Sequence, residues 1–126
     1  MNTFPTVEEL KIKIERELQL WHRGQENRAE KWILAEQVCG VSIPLHERNN
    51  NSPYERRMRL AIAELRKEGK PICSDTTGGG YWWATSMQDV LVMSGELRAR
   101  AKDLLQTARQ MRAEALREFG GQERLF

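Results

Sequence analysis

Between residues 53 and 70 the chain sets Arg56, Arg57, Arg59, Arg66, Lys67 and Lys70 against Glu55, Glu64 and Glu68. Six positive charges less three negative leave +3 in this stretch, more than the +2 of the whole 126-residue chain. Positive charge is concentrated here while the remainder is close to neutral. Guanidinium groups grip phosphate oxygens and paired base-edge acceptors, so the cluster suits recognition of a polyanion. Arg48, followed by Asn49, Asn50 and Asn51, stands just ahead and adds groups able to contact phosphates or base edges. Bond-making chemistry has no comparable cluster. Cys39 and Cys73 lie far apart, and His22 and His46 form no H-x-x-x-H pair, so no metal site is expected. Gly78-Gly79-Gly80 lacks the Lys-Ser/Thr of a phosphate loop. No Ser/His/Asp or paired-carboxylate spacing is present, so neither an enzyme nor a cofactor is expected.

Local signals say which elements must carry these groups. Ser52-Pro53-Tyr54-Glu55 predicts a helix start, with Ser as N-cap, Pro at the first position and Glu at the third. Met58, Ala61, Ile62 and Leu65 form its inward face, and Gly69 stops it. At 100° per residue, Arg56, Leu60, Ala63 and Lys67 then fall on the opposite face, flanked by Arg59 and Arg66. An earlier helix opens at the capping box Thr6 to Glu9, with Val7, Leu10, Ile14, Leu18 and Trp21 as its apolar stripe, and ends by Gly24. A second runs from Ala29 to Val38 with Ile33, Leu34, Ala35 and Val38 inward, closed by Gly40. Polar residues 25–29 leave room for a short extended piece.

Pro71 to Asp75 and Tyr81 to Thr85 read as two strands joined by Thr76-Thr77-Gly78-Gly79-Gly80. Lys70 stands at the base of this hairpin, but its tip carries no cation and Asp75 adjoins it. Tyr81, Trp82 and Trp83 can stack on single-stranded bases. Alternation makes one side of that strand core, so at most Trp82, or else the Tyr81/Trp83 pair, is exposed, and core packing is the expected role. Ser86 to Asp89 caps a last helix reaching about Phe119. Within it Leu97, Ala101, Leu104, Ala108, Met111 and Ala115 step by 4 and 3, a short heptad seam able to pair two copies over residues 97–115 or to pack back.

Three short helices followed by a glycine-tipped hairpin is the order of a winged helix-turn-helix. The stretch from Arg59 to Ile72, then Gly79-Gly80-Tyr81-Trp82-Trp83-Ala84-Thr85, resembles winged-helix domains of small phage and prophage proteins, which read R-x-A-I-x-x-L-R-x-x-G-x-P-I before a G-Y-aromatic strand. Leu34 to Gly40 is similar to the helix before the turn in these domains. The resemblance covers about residues 6–85. It implies a mainly α fold with a small β-hairpin wing (α+β), spanning residues 1–85, followed by the helix 86–119. It also implies duplex DNA as partner, with a role in transcription regulation or DNA replication. The residues expected at the DNA are Arg48, Asn50, Asn51, Arg56, Arg57, Arg59, Ala63, Lys67 and Lys70.

Residues 120–126 are expected to form a flexible tail. Gln122, Leu125 and Phe126 there resemble the sliding-clamp-binding pentapeptide of bacterial replication and repair proteins, Q-L-[SD]-L-F in its favoured form. Glu123 replaces the usual leucine and Arg124 the small polar residue. A protein–protein adaptor that recruits the clamp is therefore the rival expectation to a DNA reader. At 40% hydrophobic residues the chain can fill one modest core, and a net +2 excludes a uniformly basic coat. No apolar run approaches the roughly 18 residues of a membrane span. No cationic start with an apolar h-region is present either, so a cytoplasmic location is expected.

Overall fold

The computed structural model describes residues 4–75 and 79–121, and its first unit is organised around helix starts written into the sequence. Thr6 Oγ1 accepts the Glu9 N–H (3.1 Å) and opens α1, Val7–Trp21. Ser52 Oγ accepts the Glu55 N–H (3.4 Å), with Pro53 as first residue of α3, Pro53–Lys67. Between them Glu30 caps α2, Lys31–Cys39, its carboxylate taking the N–H groups of Trp32 and Ile33. Each cap satisfies amides that an α-helix leaves without an internal partner. Gly69, at φ +92°, closes α3, where the Lys70 N–H returns to Leu65 O (3.0 Å).

Leu10, Ile14 and Leu18 of α1, Leu34, Ala35 and Val38 of α2, and Met58, Ala61, Ile62 and Leu65 of α3 make one core. Two residues expected inward are not. Trp21 is 68% exposed, because α1 stops there and the backbone after it is drawn to the sheet: His22 O accepts the Trp83 N–H (2.8 Å). Ile33 is half exposed, because the buried strip of α2 runs through Leu34, Ala35 and Val38 and leaves Ile33 about 100° outside it.

The hairpin strands are β2, Ile72–Ser74, and β3, Gly80–Trp83. The extended piece expected near residues 25–29 is a 3₁₀ turn, Gln25–Asn27, followed by β1, Ala29–Glu30, which adds a third strand. The sheet is antiparallel throughout in the order β1-β3-β2, with Ala29 opposite Tyr81 and Cys73 opposite Trp82. Gly80 sits where the added strand comes closest, since a Cβ there would lie 3.2 Å from Ala29 O. Neither face of β3 is left to solvent. Tyr81 and Trp83 join the helical core, while Trp82 and Cys73 are buried on the other side, where Cys73 Sγ donates to Asp89 O (3.7 Å).

Asp89 lies in the first turn of α4, Met87–Phe119, which opens where Ser86 Oγ accepts the Asp89 N–H and Asp89 Oδ2 takes the Thr85 N–H. The helix passes Gly95 without a break. The chain divides into two compact units, Met1–Val90 and Leu91–Phe126. In the second, the heptad positions Leu97, Ala101, Leu104, Ala108 and Met111 are exposed and Ala115 is half-buried. The protein is thus mainly helical with a small three-stranded sheet, an α+β arrangement. No described helix is long and apolar enough to cross a membrane. The hairpin tip, residues 76–78, and the tail with Gln122, Leu125 and Phe126 lie outside the described residues.

Candidate nucleic-acid interface

The inward face of α3 is anchored by four buried apolar residues, so its opposite face is set by geometry alone. Arg56, Leu60, Ala63 and Lys67 fall within an arc of about 60° at 100° per residue, and all four are exposed. Arg56 and Lys67 make no ion pair with any described residue. They stand eleven positions apart, or roughly 16 Å along the axis at 1.5 Å per residue. Leu60 (53% exposed) and Ala63 lie between them, an apolar and low stretch bracketed by two free cations.

The other cations expected at the same surface are engaged within the molecule. Arg59 Nε lies 2.8 Å from both oxygens of Glu55, whose side chain is only 3% exposed while that of Arg59 is 50% exposed. Lys31 Nζ approaches the same carboxylate at 3.9 Å. A carboxylate so deeply placed needs counter-charge, so Arg59 neutralises Glu55 first and offers only its remaining guanidinium edge to solvent. Arg57 is turned the other way, donating to Pro5 O (3.1 Å) and lying over the Phe4 ring (4.9 Å). Arg66 ties α3 to the hairpin through Ile72 O (2.9 Å) and Ser74 Oγ (3.1 Å). Arg48 donates to Ile43 O (2.9 Å) and pairs with Glu36 (3.5 Å), and Lys70 pairs with Glu15 (3.3 Å).

Asn50 and Asn51 are exposed in the turn before α3, where the Asn51 N–H is held by Asn49 Oδ1 (2.8 Å). The structure therefore brings Arg56, Ala63, Lys67 and half of Arg59 onto one face, and assigns Arg48, Arg57 and Lys70 to internal contacts. The candidate surface is narrower than the net charge of the helix suggests.

Comparison with known protein families, curated proteins and solved structures finds no match to this chain.

Two cations outside the basic stretch reach the hairpin through β1. The stem of Arg28 lies against Gly80, and that of Lys31 against Gly79. Arg28 is exposed, its guanidinium donating to Gln25 O (3.2 Å). The pairing of Ala29 with Tyr81 and Glu30 with Gly80 delivers them there. The only signal in the sequence was the extended piece itself, with a cation on either side of it. Burial pushes the Cys39 thiol and the Tyr81 phenol up from their ordinary values, which keeps both protonated and unreactive near neutral pH. Among the described residues no group of three or more His, Cys, Asp or Glu is placed to hold a metal ion.

Proposed function

We propose that this chain is a winged helix-turn-helix protein of the phage or prophage type that binds duplex DNA with α3 as the reading helix. The observation that carries the reading is the solvent face of α3, with Arg56 and Lys67, which have no ion pair among the described residues, at either end of an apolar stretch. A major groove about 12 Å wide admits an α-helix. Two cations roughly 16 Å apart along one helix face let one end reach a base edge while the other meets a flanking phosphate. Leu60 and Ala63 between them suit thymine methyl groups. The element order adds support: three helices and then a hairpin, with β1 closing the small sheet at its edge.

The test is fluorescence anisotropy with a labelled duplex across a salt series. Each phosphate neutralised contributes a slope of about −0.9 in log K against log salt, so two to three cations predict about −2 to −3 for each chain bound, and twice that where two chains bind together. A slope near zero, or no retention on duplex DNA at low salt, overturns the proposal. A slope of about −5 for each chain bound, counted from the stoichiometry of the complex, would mean that Arg48, Arg57 and Lys70 leave their internal partners on binding.

The tail favours a second reading, in which the same protein recruits a sliding clamp. Gln122, Leu125 and Phe126 follow Gly120-Gly121, and two apolar anchors on a short peptide bind weakly and reversibly. Co-elution of the intact chain with a bacterial sliding clamp, abolished when residues 122–126 are deleted, is the expected result. No co-elution of the intact chain removes this reading.

A further inference from the structure

In the second unit one side of α4 carries exposed apolar residues. Leu104 (72% exposed) and Met111 (70%) are bare, and Leu97 (40%) is partly so. Between them the seam carries Ala101, Ala108 and Ala115. Contiguous apolar surface of this kind marks an interaction site, and a helix with one apolar side gains its stability from whatever covers that side.

We infer that a second copy of this chain covers it, with the two α4 helices antiparallel and the two-fold axis beside Gln106. The seam is complementary to itself in one direction only. Antiparallel pairing about residue 106 sets Leu97 against the partner's Ala115, Ala101 against the partner's Met111 and Leu104 against the partner's Ala108. Every layer then holds one large side chain and one alanine, a uniform cross-section that packs without gaps. Parallel pairing sets leucine on leucine and alanine on alanine, alternating crowded layers with hollow ones.

Charge favours the same direction. The antiparallel register brings Arg100 beside the partner's Glu114, twice by symmetry. Within a single helix Glu114 pairs with Arg117, and both side chains are exposed and able to exchange partners. In a parallel pair Arg100 and Glu114 stand roughly 21 Å apart along the axis and never meet. Arg98 and the partner's Arg112 share the other flank and repel. Their guanidinium groups are on long stems at the rim, where turning into solvent keeps the cost small. Thr107 faces its own copy, and Leu105 does the same on the flank of Arg98, an apolar contact centred on the axis.

Light scattering of the intact protein at about 100 µM, in the range where a modest helical interface assembles, is expected to give twice the chain mass. Leu104→Glu is expected to give the single mass. Direction is read by mild oxidation, since a disulfide needs its two Cβ atoms within about 4.5 Å. Leu97→Cys combined with Ala115→Cys is expected to cross-link two chains between 97 and 115, mapped by digestion, while neither single variant cross-links at its own position. An independent pair avoids new cysteines. Arg100→Glu alone is expected to weaken the dimer about fivefold, and Arg100→Glu with Glu114→Arg to restore it. A monomer at this concentration, self-cross-linking of either single cysteine variant, or no rescue by the charge swap overturns the inference. A monomeric protein that still bound duplex DNA would overturn it while leaving the DNA reading intact.

Discussion

Arg56→Glu combined with Lys67→Glu is expected to weaken binding to duplex DNA about 100-fold at moderate salt, because each groove or phosphate interaction removed is worth about 1–3 kcal/mol and both reversals add repulsion. The same double variant is expected to keep its urea midpoint, with stability changed by less than about 0.5 kcal/mol, since both side chains are exposed and form no ion pair among the described residues. Loss of binding without loss of stability is the combination that a structural role for these two residues would not produce. Affinity unchanged by the double reversal sinks the assignment of α3 to the groove. Gel shift or anisotropy read beside a denaturant melt gives both quantities on one sample.

Arg59 is a poorer probe, although it lies on the same helix. Its guanidinium neutralises Glu55 across 2.8 Å, so removing it leaves a deeply buried carboxylate whose remaining cation among the described residues is Lys31 at 3.9 Å. A lower affinity in an Arg59 variant would mix a weaker grip on DNA with disturbed packing. Arg57 is worse still, being committed to Pro5 O and Phe4. The contrast between Arg56 and its neighbours follows from helical phase. One step of 100° separates a cation aimed at solvent from one aimed at the N-terminal segment.

That phase was readable from the sequence, and so were the helix starts. Thr6 with Glu9, Ser52 with Pro53 and Glu55, and Ser86 with Asp89 act through backbone groups three residues away, so local spelling is sufficient to place them. The apolar face of α3 was equally local. Partners distant in sequence were not legible. Arg57 with Pro5, Lys70 with Glu15 and Arg48 with Glu36 depend on how helices cross, and periodicity identifies a face without naming what lies opposite. The exposure of Trp21 has the same origin, since the bend after α1 is fixed by its bonds to β3 and not by the α1 stripe. Strand β1 escaped because two residues are too few to show alternation, yet its pairing with β3 is what carries Arg28 and Lys31 to the hairpin.

The aromatic strand supplies the largest expected effect on stability. Trp83 belongs to the main core, and its backbone also binds the end of α1, taking the Gly24 N–H on its oxygen (2.9 Å) and giving its own N–H to His22 O (2.8 Å). Trp83→Ala keeps those backbone bonds but empties a large part of the core between the sheet and the helices, at a cost of about 3–5 kcal/mol. A small unit of this kind is stable by about 5–15 kcal/mol in total, so the variant is expected to melt far earlier and to populate unfolded chains near growth temperature. Trp82 gives the opposite expectation. Its indole Nε1 is buried with no hydrogen-bond partner among the described residues, so Trp82→Phe removes an unsatisfied donor and keeps most of the ring. A change within about 1 kcal/mol in either direction is expected there. Neither variant is expected to alter affinity for single-stranded DNA, because both indoles are packed inside and unavailable for stacking on bases. Circular dichroism melts of the two variants decide the matter: a Trp83→Ala midpoint equal to that of the parent would mean that this strand does not join the sheet to the helical core.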